Sequence, residues 1–154
     1  MESKKELTVR DIIEICEGKL VCGDKEVALN NFCQDTRMIK QDDVYVGIKG
    51  ENHNGNDMYE KALENGAKVC ILQDIDIPEY IKEKYYDRSI IIVKNTIYAL
   101  QELAKYKRSM YDIPVVAITG SVGKTSTKDI VASVMAKKFN VLKTEGNYNS
   151  QLGT

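Results

Sequence analysis

An apolar run at residues 115–118 is followed at once by a glycine-containing loop and then by a helical pattern with one apolar stripe. This order constrains the chain more than any other feature, because a strand, a glycine loop and a helix together build a cradle for phosphate. The loop over 119–125 reads Thr-Gly-Ser-Val-Gly-Lys-Thr. Its glycines allow backbone N–H groups to turn inward, and the helix start adds unpaired N–H groups and the positive end of its dipole.

The chemistry of this loop points to a triphosphate and a divalent cation. Lys124 supplies a positive charge for the outer phosphates, and the hydroxyl of Thr125 is suited to ligate Mg²⁺ beside them. Ordinary loops of this kind have a glycine where Ile118 stands, so this loop is a shortened variant that begins at Gly120. The alternative is a glycine turn with a solvated lysine, but the flanking strand and helix favour the cradle. The predicted ATP-binding residues are Gly120, Ser121, Val122, Gly123, Lys124, Thr125 and Ser126, and the predicted metal ligand is Thr125.

Strand and helix patterns alternate along the rest of the chain, which predicts an α/β fold. One helix is predicted to begin after a cap at Thr8, and a second is predicted over 95–110. The second helix is expected to bury the face formed by Ile97, Leu100, Leu103 and Ala104. Apolar runs predict strands at 44–48, 69–72 and 89–93, and the Gly23-Asp24 turn predicts a hairpin between 19–22 and 26–29.

The segment Asp112-Ile113-Pro114 ends the helical pattern, because proline cannot continue a helix. We therefore predict two domains, residues 1–111 and residues 112–154. The second is predicted to hold strands at 115–118 and from 141 onward, with one helix between them. The buried stripe of that helix is expected to be Ile130, Val131, Val134 and Met135. One helix cannot cover both faces of a doubly wound sheet, so the second domain is predicted to be incomplete.

Composition argues against several classes of protein. A net charge of −1 gives no general attraction to nucleic acid or to an anionic membrane, and no apolar run approaches the roughly 18 residues of a membrane span. We therefore expect no nucleic-acid partner and no membrane insertion. The four cysteines lack C-x-x-C spacing and there is one histidine, so reduced thiols in the cytoplasm are predicted rather than a zinc site.

The phosphate loop, continued as Ser126-Thr127-Lys128, resembles the ATP loop of the Mur ligases. These ATP-dependent amide-bond enzymes build the peptidoglycan peptide on a UDP-sugar. The stretch 142–149, Leu-Lys-Thr-Glu-Gly-Asn-Tyr-Asn, also resembles the segment that follows the first helix of that domain in the family. Both are most similar to the family member that joins D-alanyl-D-alanine to UDP-N-acetylmuramoyl-tripeptide. Asn147 and Asn149 are candidates for a place near nucleotide or metal, or are simple turn formers.

The amino-terminal half resembles the same family at Asp35-Thr36-Arg37 and at residues 42–50. In the family this domain holds the UDP group, so the resemblance implies contacts from Thr36 and Arg37 and closure of a loop over 51–55. A guanidinium is indeed a natural partner for a diphosphate. The alternatives are a surface ion pair on a turn and a solvated loop histidine, and no contact is assigned to Asn56. The predicted UDP-binding residues are Asp35, Thr36, Arg37, Glu51, Asn52 and His53.

The resemblance implies a small amino-terminal uridine-binding α/β domain followed by the truncated start of a P-loop-type central domain. It implies a ligase that uses ATP and Mg²⁺ to phosphorylate a carboxylate, after which the amine of D-alanyl-D-alanine attacks the acyl phosphate. Its catalytic residues would lie beyond Thr154, so this chain is expected to bind nucleotides without catalysing the reaction. Two alternatives stay open: a small stand-alone nucleotide-binding or regulatory module, and a piece of the sister ligase that adds the third peptide residue.

Overall fold

A computed structural model describes residues 6–145 and divides the chain into two units, Met1–Met110 and Tyr111–Thr154. The first unit is built on a five-stranded sheet in the order β1-β5-β4-β3-β2. Strands β2 to β5 are parallel, whereas β1 pairs antiparallel with β5. The strands are β1 (Lys19–Cys22), β2 (Phe32–Cys33), β3 (Val44–Val46), β4 (Val69–Leu72) and β5 (Ser89–Ile92).

Helices cover both faces of this sheet, so the predicted α/β class is confirmed. The helices of the first unit are α1 (Val9–Cys16), α2 (Tyr59–Glu64), α3 (Glu79–Lys84) and α4 (Thr96–Ser109), and α5 (Lys124–Met135) lies in the second unit. Two short 3₁₀ helices, Thr36–Met38 and Gly55–Met58, lie between the strands. The short polar helix α3 was not predicted, since its sequence carries no apolar stripe of helical spacing.

The alternation of side chains along the strands divides the core into two layers. In β4, Val69 and Ile71 pack in the cluster that contains Ile12 of α1 and Leu103 of α4. Their neighbours Cys70 and Leu72 pack on the opposite face, in a cluster with residues of α2 and α3. Because all four β4 residues are buried, the strand reads as a continuous apolar run, as central strands of parallel sheets do.

The helix starts follow from local capping. The backbone N–H of Thr8 donates to Asp11 Oδ2 at 2.7 Å, which forms a capping box and confirms the predicted start of α1. At α4, the Asn95 side chain accepts from the backbone N–H of Tyr98 at 2.8 Å. The predicted buried face of α4 is wrong at one position, because Ala104 is exposed. The stripe is centred on Thr96, Ala99 and Leu103, which share a face at intervals of three and four.

The predicted hairpin around Gly23 is wrong. Strand β1 pairs with β5, and the second arm instead bonds the segment before α1: Leu29 donates to the Leu7 carbonyl at 2.7 Å. The turn itself explains the difference. Gly23 has φ +91° and lies so close to the Arg88 backbone that an added Cβ would approach its carbonyl oxygen to 2.2 Å. The chain therefore turns past the start of β5 and leaves β1 free to pair there.

The second unit departs from prediction in its packing. Within residues 111–145 the structure shows helix α5 but no strand at 115–118 or at 141–142, and a strand requires a hydrogen-bonded partner. None of the helix residues is buried. The expected buried stripe is wrong, because Ile130 and Val134 are each 64% exposed, Met135 is also exposed and Val131 is half-buried. No described residue of this unit covers that face.

The four cysteines are free thiols, as predicted. Burial raises the pKa of Cys16 to about 11 and raises that of the fully enclosed Cys70 as well. In residues 6–145, no cluster of three or more metal-ligating side chains is found. No helix among these residues has the length and apolar character to cross a membrane.

Candidate functional site

The candidate residues of the first unit lie at one edge of the sheet. Strands β2 to β5 are parallel, so their carboxyl ends share that edge. The chain leaves β2 toward Asp35 and leaves β3 toward Gly47, while Gln73 directly follows β4. In open α/β sheets, ligands bind outside the carboxyl ends of the strands. The predicted UDP-binding residues are therefore at the edge where a ligand is expected.

Asp35, Thr36 and Arg37 form one tight turn. The Asp35 carboxylate caps the 3₁₀ helix by accepting from the backbone N–H of Arg37 at 3.0 Å. It also accepts from the guanidinium, at 2.9 Å from Nε and 2.7 Å from Nη2. This Arg37 pairing holds the pKa of Asp35 at about 2. Asp35 and Arg37 thus form a surface ion pair, in which the Arg37 side chain is 82% exposed and reachable from solvent.

Thr36 behaves differently from its two neighbours. Only 6% of it is exposed, and its carbonyl accepts from Asn65 Nδ2 at 2.8 Å. The Asn65 side chain lies at the end of α2, so this bond ties the turn after β2 to the helix that follows β3. Thr36 therefore anchors the turn, while Arg37 extends from it.

Residues 47–55, the edge loop, connect β3 to the second 3₁₀ helix. The loop is closed by backbone bonds: Gly50 donates to the His53 carbonyl and Gly55 to the Ile48 carbonyl, each at 2.9 Å. Glu51, Asn52 and His53 are exposed at its tip. Their side chains are thus available to a ligand, and the closed base of the loop fixes where they stand.

Tyr45 connects the turn and the edge loop. Its buried hydroxyl donates to the Gly55 carbonyl at 2.6 Å. Burial raises the pKa of Tyr45 to about 12. Tyr45 also pairs with Cys33 of β2, two residues before Asp35, so the Asp35–Arg37 turn and the edge loop leave the sheet from neighbouring strands.

Three residues at this edge were missed by reasoning from sequence. Asn56, Gln73 and Thr96 are all buried and polar, with 1%, 8% and 0% of their surface exposed. Asn56 had been assigned no contact. A polar residue directly after a buried apolar strand, as Gln73 is after β4, was the available signal. An open depression of about 410 Å³ adjoins this region and is lined in part by Asp74, Asp76 and Lys94.

The loop of the second unit contains two glycines with positive φ. Gly120 and Gly123 have φ of +151° and +79°, where side chains are unfavourable. Gly123 precedes α5, whose amino-terminal end has no side-chain cap. Its first N–H groups are thus left for another acceptor. An added Cβ at Gly123 would meet no atom within 4 Å, so space for a ligand is open there.

Lys124 already faces the interior of this loop. Its ammonium donates to the Gly120 carbonyl at 2.5 Å, which bends the side chain back over the turn. Ser121, Val122, Thr125 and Ser126 are exposed around it. The arrangement fits a phosphate chain: backbone donors, one cation and a hydroxyl meet at a helix start. The structure therefore brings together all seven predicted ATP-binding residues.

The segment after α5 is bonded to the helix. Lys128 Nζ donates to the Thr144 carbonyl at 2.6 Å, and Lys143 Nζ donates to Asp129 Oδ1 at 2.7 Å. The bond from Lys143 lowers the pKa of Asp129. The stretch 142–149 thus begins beside the amino-terminal half of α5. Asn147 and Asn149 lie outside the described residues.

Comparison with known proteins shows which class of protein the chain resembles. Residues 118–154 match the Mur ligase middle domain. The chain is 33% identical over 154 residues to the UDP-N-acetylmuramoyl-tripeptide–D-alanyl-D-alanine ligase of Synechocystis sp., and 33% identical over 147 residues to that of Bacillus subtilis. These alignments cover 99% and 95% of this chain but 33% and 31% of the relatives. The predicted resemblance is confirmed: over nearly its whole length this chain is similar to Mur ligases.

Solved structures specify the member of the class that the chain resembles. MurF from Acinetobacter baumannii matches 97% of this chain with a TM-score of 0.79 and 25% identity, over 32% of its own length. MurF from Thermotoga maritima in complex with ADP matches 80% of the chain, with a TM-score of 0.69 and 33% identity, over 27% of its length. The likeness is thus to MurF-type ligases, and the chain spans about a third of the length of the relatives it matches.

Proposed function

We propose that this chain is part of an ATP-dependent ligase of peptidoglycan-precursor synthesis, which joins D-alanyl-D-alanine to UDP-N-acetylmuramoyl-tripeptide. The observation that carries this proposal is the Gly120–Lys124 cradle, because it lies within the stretch that matches the Mur ligase middle domain. The relatives that align with nearly the whole chain are ligases of this substrate pair by name. Free thiols accord with a cytoplasmic location for the reaction.

In this proposal, residues 112–154 are the start of the ATP-binding domain. The seven loop residues would hold the phosphates of ATP through backbone N–H groups, with Lys124 on the outer phosphates. Thr125, exposed in the first turn of α5, would contribute a hydroxyl ligand to Mg²⁺. Bound Mg²⁺ would supply electrostatic stabilisation of the charge on the phosphates.

Residues 1–111 would form the UDP-binding domain. Arg37 supports this assignment, because its exposed guanidinium keeps donors free beyond the two that contact Asp35. Asp35 would orient that guanidinium, and the tip of the edge loop (Glu51, Asn52 and His53) would lie against the nucleotide. Thr36 would act through the turn that it anchors.

Titration of the chain with ATP tests the cradle. Wild type should bind ATP weakly and in a Mg²⁺-sensitive manner, and Lys124→Ala should abolish that binding. Lys137→Ala, just beyond the other end of α5, is the matched control and should bind like wild type. Equal affinity of wild type and Lys124→Ala for ATP would remove the basis of the proposal.

A second assay separates binding from catalysis. Positioning and electrostatic closure around the transferring phosphoryl group supply most of the acceleration in phosphoryl transfer. The cradle alone provides neither a base nor an acceptor pocket, so residues 1–154 should release no phosphate with ATP, UDP-muramoyl-tripeptide and D-alanyl-D-alanine. Phosphate release that disappears in Lys124→Ala would show that these residues suffice for catalysis.

A further inference from the structure

Three buried polar side chains form a continuous chain of hydrogen bonds at the carboxyl edge of the sheet. The Gln73 side chain accepts from the backbone N–H of Thr96 at 2.9 Å, at the first residue of α4. The backbone N–H of Gln73 in turn donates to Asn56 Oδ1 at 2.9 Å. Asn56 Nδ2 donates to Asn54 Oδ1 at 2.8 Å, so the chain of bonds ends inside the edge loop.

The Thr96 hydroxyl reaches the other end of the same loop. It lies 2.9 Å from the Gly47 carbonyl oxygen and 3.0 Å from Gln73 Oε1, and its one proton can serve either. Gly47 is packed against this network, because an added Cβ would approach Asn56 Oδ1 to 2.6 Å and Leu72 Cδ2 to 2.8 Å. Both ends of the edge loop are therefore held by buried groups that do not belong to its tip.

Every buried side-chain nitrogen and oxygen among the described residues has a hydrogen-bond partner. Buried polar networks of this kind are costly unless complete, and a complete one fixes a single geometry. The Asn56, Gln73 and Thr96 side chains thus fix the geometry at the base of the edge loop through directional hydrogen bonds, which apolar side chains could not form.

We propose that Thr96, Gln73 and Asn56 are positioning residues that hold the edge loop in the shape that receives a uridine diphosphate. The part about the ligand rests on the proposed function of residues 1–111. None of the three needs to touch the nucleotide. They act by setting the distance between Gly47 and Asn54, from which the exposed tip extends.

Thr96→Val tests the proposal, because valine keeps the shape of threonine and removes the hydroxyl. Thr96→Ser restores the hydroxyl. Ser89→Ala is the matched control: Ser89 is 0% exposed and its hydroxyl bonds Asp24, but at the amino-terminal end of β5. The control therefore removes a buried hydroxyl of the same kind at the opposite edge of the sheet.

Two readouts are needed on the full chain: hydrogen exchange of the Gly55 amide relative to the Ile71 amide, and UDP affinity by calorimetry. Thr96→Val should speed the relative exchange of Gly55 about tenfold and weaken UDP about tenfold, the effect of losing one hydrogen bond of ordinary strength. Thr96→Ser should stay close to wild type in both. Ser89→Ala should not raise the exchange of Gly55 relative to Ile71 and should leave UDP affinity unchanged, although it lowers overall stability.

The outcomes separate the two proposals. Unchanged relative exchange of Gly55 in Thr96→Val, or the same change in Ser89→Ala, overturns the positioning role whatever happens to UDP. A tenfold response of Gly55 in a chain whose wild type binds no UDP supports the positioning of the loop and refutes the uridine assignment. A response in both readouts, reversed by serine, supports both.

Discussion

The two units of this chain carry similar apolar sequence patterns, but those apolar residues are buried in the first unit and not in the second. Residues 6–110 place their apolar strands in a sheet with helices on both faces, and strand β4 is fully buried. Residues 111–145 also hold an apolar run and an amphipathic helix, yet no residue there is buried. The difference shows that an apolar pattern indicates which face of a helix or strand can be buried. Burial itself requires another element of the fold that packs against that face.

The two units also differ in how each holds its candidate site. In the first unit the edge loop is fixed by buried hydroxyl and amide groups. In the second, the phosphate loop is defined by two glycines of positive φ and by one bond from Lys124 to Gly120. The first site is thus supported by packed structure, and the second by local backbone geometry.

The largest expected effect is in hydrogen exchange. Amides of β4 have hydrogen-bonded strands on both sides, whereas a solvent-exposed helix of 12 residues is marginal on its own. Amides of α5 should therefore exchange at least about a thousandfold faster than those of β4. Mass spectrometry or NMR on the full chain measures this ratio. Comparable protection in α5 and β4 would show that the contrast between the units is wrong.

A pair of matched substitutions should give the next largest effect. Ile71 is fully buried and Ile130 is 64% exposed. Ile71→Ala should lower the free energy of unfolding by about 2–5 kcal/mol, because it leaves a cavity in the core. Ile130→Ala should change it by no more than about 0.5 kcal/mol. Urea denaturation compares the two, and an equal cost would mean that Ile130 is packed.

A smaller effect concerns alkaline pH. Burial raises the pKa of Tyr45 from 10.0 to about 12, so the folded state favours the neutral phenol. The stability that this group contributes is complete below pH 10 and is lost as the pH rises through about 12. Tyr45→Phe should therefore lose less stability than wild type between pH 10 and 12. Tyr86→Phe, at a residue 77% exposed, should retain the wild-type dependence.

Features that are determined by residues close together in the sequence could be predicted. Features that depend on residues far apart in the sequence could not. The start of α1, the strand at 69–72 and the glycine loop depend on neighbours in the chain, and each was predicted. Strand partners depend on the whole fold, so the pairing of β1 with β5 was missed. Asn56, Gln73 and Thr96 are far apart in sequence, and the sheet brings them to one edge. Their hydrogen-bonded network therefore could not be predicted from the sequence.

The central claim is that the two units hold separate nucleotide sites, one for UDP and one for ATP. A crossed titration tests it most directly, with Arg37→Ala and Lys124→Ala each titrated with both nucleotides by calorimetry. Arg37→Ala should weaken UDP about 10- to 100-fold, as expected for a lost hydrogen bond to a charged group, and leave ATP unchanged. Lys124→Ala should abolish ATP binding and leave UDP unchanged. If either variant lost both nucleotides, or if neither lost its own, the account would be contradicted.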